Sequence, residues 1–480
     1  MKSDTPIVKD LVLIGGGHSH VAVLKMFGMK PMPGVRITLI TRDVDTPYSG
    51  MLPGYIAGHY EFDETHIDLR PLAQFAGARI YHDEAVGIDH VNKKVVCRNR
   101  PPVAFDVLSV NIGSTPHMET PGAKAHVTPV KPINNFVDRW QGLFDRVRER
   151  SDEIHIGGVG AGAGGVEVLL AIEHRLRRDL KEVGRASDHI KFHLITDAND
   201  ILVSHNPSVR RKFNRVLKER AVQVHTNHKV VGVEDGAVAC ENGARIALDE
   251  ILWVTPAGAA PWLRQETKLG LDDRGFIAVH DTLETESHPG IFAAGDIASV
   301  ASHPRPKAGV FAVRQGPPLA ENLRRALTGR PLKSFRPQSD FLSLVSTGDK
   351  YAVGSRNGLA VGGEWVWQLK NWIDLRWMRK YQDLPEMEED NEVEIAAGLA
   401  DAEAMKEISA IAMRCGGCGA KVGTDVLGRA LQMLEPVKRP DVLIGLNEPD
   451  DAAVVEVPPG KVMVHTVDFF RAFVDDPYIF

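Results

Sequence analysis

Two glycine-rich turns constrain this chain more than any other feature of its sequence. Gly15, Gly16 and Gly17 follow an apolar run at 11–14, and Gly160, Gly162 and Gly165 follow another at 154–159. Each turn opens onto a helical pattern. A strand that stops at glycine and restarts as a helix is half of a strand–helix–strand unit, whose stable form is a parallel sheet covered by helices. This alternation continues to about residue 330. The spacing of the turns predicts two separate nucleotide-binding units, not an array of short repeats.

The first turn reads IGGGHSH. A dinucleotide turn needs glycine where the backbone bends and where it approaches a diphosphate, and the helix that follows offers free N–H groups to the negative charge. Gly15 and Gly17 fit the first two places, with Gly16 between them. His20 takes the third place, which predicts looser packing of helix on strand. The next strand, 36–40, leads into Thr41, Arg42 and Asp43. An acidic residue at that strand end would bind ribose hydroxyls. Here Thr41 stands there, Asp43 comes two residues late, and Arg42 is the candidate contact.

The second turn, Gly160, Gly162 and Gly165, matches G-x-G-x-x-G in full. Glu167 reads as a first-turn carboxylate, either contacting the nucleotide or complementing the helix dipole. Asp197, at the end of the following strand, is a candidate ribose ligand that would favour NADH by repelling a 2′-phosphate. Further on, HPGIFAAGDIASV places Gly295 and Asp296 at a strand's carboxyl end. An aspartate there can accept hydrogen bonds from a polyol chain, with the N-terminus of a following helix facing phosphate.

Composition excludes several classes. The chain has 480 residues, 43% hydrophobic and 25% charged, with a net charge of −6. That is the profile of a folded protein with no overall electrostatic case for nucleic acid. Cys97, Cys240, Cys415 and Cys418 are too few for a disulfide-stapled secreted fold. The N-terminus lacks a signal-peptide core, and no apolar run approaches the ~18 residues that span a bilayer. The expectation is a soluble cytoplasmic protein.

Beyond residue 330 the pattern changes. Residues 331–363 read as short strands with glycine turns. Residues 365–381 read as a helix carrying Trp365, Leu369, Trp372, Ile373 and Trp377 among basic residues. That helix suits either a membrane interface or a domain or dimer interface, and its shortness and Asp374 favour the second. Residues 383–410 are an acidic linker. Then Cys415-Gly-Gly-Cys418 precedes Lys421. No second cysteine pair follows, which argues against zinc. Cys418 sits among glycines, where Lys421 could stabilise a thiolate. Asp450, Asp451 and Asp468 suit Mg²⁺ bridging ATP phosphates, or are ordinary turn aspartates.

The two glycine turns, DVLSVNIGSTP, ILWVTPAGAAPWL and the late GD motif occur in an order that resembles the two-dinucleotide flavoproteins. That family includes pyridine-nucleotide disulfide oxidoreductases and type II NADH dehydrogenases. The resemblance implies FAD bound by Gly15, Gly17, Gly113, Gly295 and Asp296, and NAD(P)H bound by Gly160, Gly162, Gly165 and Glu167. It implies an α/β fold with two Rossmann-like domains: an FAD domain at 8–150 and 270–330, and an NAD(P)H domain at 151–269. A small α+β C-terminal region at 331–382 would follow. Segment 41–60 contains no cysteine, so the family's redox dithiol is excluded there. That segment resembles the flavin-facing loop of type II NADH dehydrogenases, with Pro53 near the ring. Gln315 would lie near the flavin's pyrimidine edge, or else is a capping or surface amide.

Residues 411–480 resemble the N-terminal part of selenide, water dikinase. By that resemblance Cys418 handles selenium, Lys421 assists it, and Asp451 and Asp468 bind metal, with Mg²⁺ and ATP as ligands of the complete synthetase. The expectation is therefore a flavoprotein NAD(P)H dehydrogenase fused to a truncated α/β synthetase segment. Its partners would be small molecules and no nucleic acid, with a peripheral membrane contact and a homodimer both open. Two rival readings remain at this stage. One is a membrane-associated NADH:quinone reductase with a passive appendage, and the other is a non-enzymatic redox sensor.

Overall fold

The computed structural model describes residues 6–385, less 132, 256 and 339, together with 398–399, 439–444 and 454–462. In chain order its main elements are β1 (Lys9–Ile14), α1 (His18–Met29), β2 (Val35–Thr41), β3 (Ala78–His82), β4 (Val107–Val110), β5 (Thr128–Pro129), β6 (Ile154–Val159), α2 (Ala163–Glu182), β7 (Ile190–Ile195), β8 (Gln223–His225), β9 (Glu250–Trp253), β10 (Ile291–Ala293), α3 (Gly309–Leu327), β11 (Ser343–Ser346), β12 (Ala352–Arg356), β13 (Leu359–Gly363) and α4 (Glu364–Gln382).

Two five-stranded sheets organise them. The first runs β10-β4-β1-β2-β3, and the second runs β5-β9-β6-β7-β8. Every pairing within both sheets is parallel. Parallel strands are covered on both faces and therefore read as continuous apolar runs. Leu11, Val12 and Leu13 of β1 are accordingly all fully buried. Register then fixes the site: Ile14 pairs with Ile40 and with Val110, so the carboxyl ends of β1, β2 and β4 stop level. The second sheet repeats this, with Val159 level with Ile195 and Trp253.

Helix α1 lies against α3, where a Cβ on Gly316 would stand 2.5 Å from the Ala22 Cβ. His20, expected to loosen this region, tightens it instead. Its ring is fully buried, with Nδ1 2.6 Å from the Gly15 carbonyl oxygen and Nε2 2.8 Å from Ser109 Oγ. The imidazole occupies the space a third glycine would leave and ties the turn to β4.

Strands β11, β12 and β13 form an antiparallel meander that leads into α4. Asp374 does not face outward from this helix. It is buried in an i,i+4 pair with Lys370, whose Nζ lies 2.6 Å from Asp374 Oδ2 and donates to the Gly50 carbonyl. The inner face of α4 also buries Trp377, Met378 and Tyr381, while Trp365 and Trp372 remain exposed.

The chain divides into two compact units, the second beginning at Ala400. In the second, β14 (Val442–Ile444) pairs antiparallel with β15 (Val454–Val455). Among the described residues, no helix is long and apolar enough to cross a membrane.

Three imidazoles cross adjacent strands of the second sheet. His155 Nδ1 lies 2.9 Å from His193 Nε2, and His193 Nδ1 lies 3.1 Å from His225 Nε2. Each contact takes one proton and one lone pair, so the row is complete when its rings are neutral. Burial lowers His193 to about 4, with His225 and His155 adding to the shift, and burial lowers His20 to about 4 as well. The unfolded chain protonates these groups near pH 6.5 and the folded chain only near 4. Their contribution to stability is therefore full above pH 6.5 and is lost as pH falls towards 4. Urea midpoints should fall steadily across that window, and His193→Gln should make the fall shallower. An unchanged midpoint between about pH 7 and 4.5 would contradict this.

Candidate functional site

A cleft of about 430 Å³ opens at the level carboxyl ends of β1, β2 and β4. This is the topological switch point of the first sheet, where open α/β sheets bind ligands. Gly15, Gly16, Gly17 and His18 line it from one side and Gly113, Ser114 and Thr115 from another, with Asp296 and Lys131 also in the wall. Arg42, Asp43 and Asp83 line one further part, and Pro47, Ser49, Gly309 and Ala312 another. The size lies within the range of small-molecule and cofactor sites.

The turn is built to leave backbone donors free. Gly15 has φ +88, and a Cβ there would stand 2.6 Å from the Asn111 carbonyl oxygen. Gly17 caps α1 without a side-chain hydrogen bond. The missing cap comes from across the sheet. Asn111 Oδ1 accepts from the amides of Ser19 at 3.0 Å and His20 at 3.2 Å, while Asn111 Nδ2 donates to the Ala294 carbonyl at 2.6 Å. Gly15 donates to Ile40 and Gly17 to Asn111. The Gly16 and His18 amides donate no such bond among the described residues. Free amides at a helix N-terminus suit a phosphate, so the cradle fits a dinucleotide's diphosphate.

Asp296 meets Lys131 Nζ at 2.9 Å and accepts from Ser114 Oγ at 2.9 Å. Burial alone would raise its carboxyl, but Lys131 and Ser114 outweigh that and hold it below the ordinary carboxylate range. It is thus an ionised acceptor inside the cleft, suited to hydroxyl groups of a polyol. Asn111, Ser114 and Lys131 were not singled out from the sequence. The one available signal was a polar residue directly after the buried run VLSV.

Several expected residues have other duties. Gly295 N donates to Gln315 Oε1 at 2.6 Å, so Gln315 holds the GD turn from within α3 and is neither a cap nor a surface amide. The element carrying Asp296 is a three-residue 3₁₀ turn, Gly295–Ile297, and the next helix begins only at Gly309. A helix N-terminus directly after Asp296 is therefore absent. Pro53 stands outside the cleft and lines a small separate cavity with His59, Ser346 and Trp367. Residues Pro47 and Ser49 of the same segment reach the cleft instead.

Glu167 lies beyond the first turn of α2, so it is not a dipole cap. Its carboxylate accepts from Ser346 N at 2.7 Å and Ser346 Oγ at 3.0 Å, fastening α2 to the meander, and burial raises its carboxyl. Asp197 is exposed beyond the end of β7. Cys415, Cys418, Lys421, Asp450, Asp451 and Asp468 lie outside the described residues.

The second turn is more open than the first. Gly160 has φ +112, and a Cβ on Gly165 would collide with the Gly160 carbonyl oxygen. Gly162 caps α2 without a side-chain bond, at φ −72, and a Cβ there would meet nothing within 4 Å. Packing explains the smallness of Gly165. Nothing among the described residues explains that of Gly162, and close approach by a bound dinucleotide fits it.

The family model for pyridine nucleotide-disulphide oxidoreductases matches residues 9–316. A Bacillus subtilis NADH dehydrogenase-like protein, YutJ, is 25% identical over 386 residues, covering 78% of this chain and all of that relative. The selenide, water dikinase of Myxococcus xanthus is 46% identical over 66 residues, 14% of this chain and 19% of that enzyme. Among solved structures, the sulfide:quinone oxidoreductase of Aquifex aeolicus superposes with a TM-score of 0.66 at 16% identity, covering 84% of this chain and 95% of that one.

The two glycines of the second turn separate packing from ligand approach. Gly165→Ala should destabilise the chain by about 1–3 kcal/mol in urea unfolding. Gly162→Ala should leave unfolding within about 0.5 kcal/mol of wild type and weaken NADH binding in a calorimetric titration. Equal NADH affinity in Gly162→Ala and wild type would count against a dinucleotide at this turn.

Proposed function

This chain belongs to the pyridine nucleotide-disulphide oxidoreductase family and is an FAD-dependent NAD(P)H oxidoreductase, and from that premise we propose an NADH dehydrogenase with FAD in the Asp296 cleft and the nicotinamide nucleotide at the second glycine turn. The observation that carries the reading is the duplicated architecture: two parallel sheets, each ending in a glycine turn that starts a helix without a side-chain cap of its own. FAD, when bound, supplies acceptance of hydride from a reduced nicotinamide.

The protein's part is to bind, orient and exclude. The Gly15–Gly17 turn and the His18 amide would hold the diphosphate, and Arg42, in the wall of the same cleft, would lie towards the ribose. Asp296, kept ionised by Lys131 and Ser114, accepts from the polyol. At the second turn Gly162 admits the backbone contact. Asp197 favours a ribose with free hydroxyls over a 2′-phosphate.

The electron acceptor is a small molecule, and among the described residues no cysteine is suited to relay electrons from this site. Segment 41–60 holds no cysteine. Cys97 and Cys240 lie in two different hydrophobic cores, and burial raises both thiols, Cys97 to about 11. A thiol so protonated is a poor nucleophile. The purified chain should show flavin absorption that anaerobic NADH bleaches, and NADH-dependent reduction of oxidised glutathione should stay at background. A colourless chain that takes up no FAD, or a bound flavin that NADH leaves unchanged, would refute the proposal.

One observation favours a membrane-borne quinone as that acceptor. Trp365, Leu369 and Trp372 form an exposed apolar stripe on α4, and the Arg376 guanidinium lies 5.1 Å from the Trp372 ring centre. Aromatic and basic groups together suit the headgroup region of a bilayer. The chain should sediment with anionic liposomes and Trp372→Asp should abolish this, whereas equal sedimentation of the two would remove the quinone reading.

For residues 411–480 we propose the N-terminal part of a selenide, water dikinase. Cys418 would be the selenium-handling nucleophile, Lys421 its partner, and Asp451 and Asp468 its metal ligands. The similarity over 66 residues supports this reading.

A further inference from the structure

Among the described residues, Arg42 and Lys131 are the cations in the wall of the cleft. His18 also lines it, but burial lowers that imidazole to about 4, so it is uncharged near neutral pH. Arg42 is exposed and pairs with its neighbour Asp43 at 2.8 Å. Lys131 is held quite differently. Its Nζ lies 2.9 Å from Asp296 Oδ2 and donates to Ser114 Oγ at 3.2 Å, while Ser114 Oγ donates to the same Asp296 oxygen at 2.9 Å. The three groups close a triangle that fixes the ammonium beside the carboxylate. An ammonium carries three hydrogens, and among the described residues Lys131 uses two.

The corners of this triangle come from two sheets. Ser114 follows β4 and Asp296 follows β10, both strands of the first sheet. Lys131 follows β5, whose Thr128 and Pro129 pair with Leu252 and Trp253 of β9 in the second sheet. Val130 extends that attachment, its amide donating to the Trp253 carbonyl at 3.1 Å. The second sheet thus delivers a positive charge to the acceptor carboxylate of the first. Lys307, nearer to Asp296 in the chain, does not reach the cleft wall. Its Nζ donates to the Ala298 carbonyl at 2.6 Å and stands 3.9 Å from the Phe276 ring centre.

The polyol that Asp296 would accept from is covalently continuous with the flavin ring, so Lys131 stands beside the part of the cofactor whose charge changes. Hydride transfer moves an electron pair and one proton from NADH, which becomes NAD⁺, and the accepting ring gains one negative charge. Asp296 is largely buried and Lys131 partly so, and salt screens charges in such a site only weakly. We propose that Lys131 sets the reduction potential of the flavin by stabilising that added charge, so that a residue of the second sheet tunes the chemistry of the first. This inference rests on the reading of the cleft as the FAD site. It gives an electrostatic role to a residue that neither the glycine turns nor the GD motif contains.

The test is the two-electron reduction potential of flavin-loaded full-length protein near neutral pH, measured by equilibration with a reference dye. Lys131→Met removes the charge and should lower the potential by about 30 mV or more, a tenfold or larger shift towards oxidised flavin. Lys131→Arg keeps the charge and should stay within about twofold of the wild-type equilibrium. Asp296→Asn leaves the ammonium unopposed and should move the potential upward, so the test stands even if the Met variant loses its flavin. A lysine with a merely structural role would weaken oxidised and reduced flavin alike and leave the potential where it was. A wild-type potential in Lys131→Met overturns the proposal, as does an equal fall in the Arg and Met variants. A potential at or below wild type in Asp296→Asn overturns it as well. A wild-type chain that takes up no FAD overturns the cofactor reading too, and that failure is seen before any potential is measured.

Discussion

One buried amide holds the first nucleotide turn in shape. Asn111 directly follows β4 and reaches three ways: its Oδ1 caps α1 through Ser19 and His20, its Nδ2 holds the Ala294 carbonyl, and its main-chain oxygen accepts from Gly17. Buried backbone donors and acceptors must be paired, and here one residue pairs those of three loop ends, two through its side chain and one through its main-chain oxygen. It does so selectively. By taking the amides inside the first turn of α1 it spares those of Gly16 and His18, which face the cleft. A cap on α1's own N-terminal residue would compete for the same space. Gly17 carries no Cβ, and one would collide with Asn111 Oδ1. The glycine and the asparagine are therefore a single device.

The two turns solve one problem with different parts. Each must bring a helix down onto a parallel strand while its N-terminus stays open. The second turn uses glycine throughout, with Gly165 against the Gly160 carbonyl. The first puts His20 at the matching place and recovers close contact by bonding the imidazole to Gly15 and Ser109. A hydrogen-bonded side chain can replace the absence of one, provided that both ring nitrogens find partners.

What the sequence disclosed, and what it concealed, follows from the range of the interactions. Glycine spacing, the apolar strands and the helix at 365–381 are local, because φ values and periodicity are set within a few residues. They were legible. The duties of Glu167 and Gln315 were not, since each is fixed by a partner far away in the chain: Ser346, 179 positions on, for Glu167, and Gly295, 20 positions back, for Gln315. The partner of Asp374 was not legible either. The place of Asp374 among the tryptophans argued for an interface, and only the structure shows that Lys370, one turn earlier, pairs with it in the interior. Asn111 and Lys131 carry no motif at all. They matter because β4 and the segment after β5 arrive at the same cleft, and only the strand order brings them there.

Helix α4 then has two faces with different consequences. Outward it presents Trp365, Leu369 and Trp372. Inward, Lys370 and Asp374 grip the Gly50 carbonyl and Tyr48, and Trp377 packs on Tyr48 with ring centres 4.3 Å apart. Tyr48 and His18 belong to the segments that form the cleft wall. Closely packed interiors transmit displacement instead of absorbing it. A ligand seated on the outer stripe and a cofactor in the cleft therefore act on opposite sides of one helix. If seating on the outer face favours one position of α4, linkage requires that the cofactor favouring the same position strengthen it by the same factor. The buried Lys370–Asp374 pair resists any change of register, because sliding the helix would expose two desolvated charges to apolar surroundings.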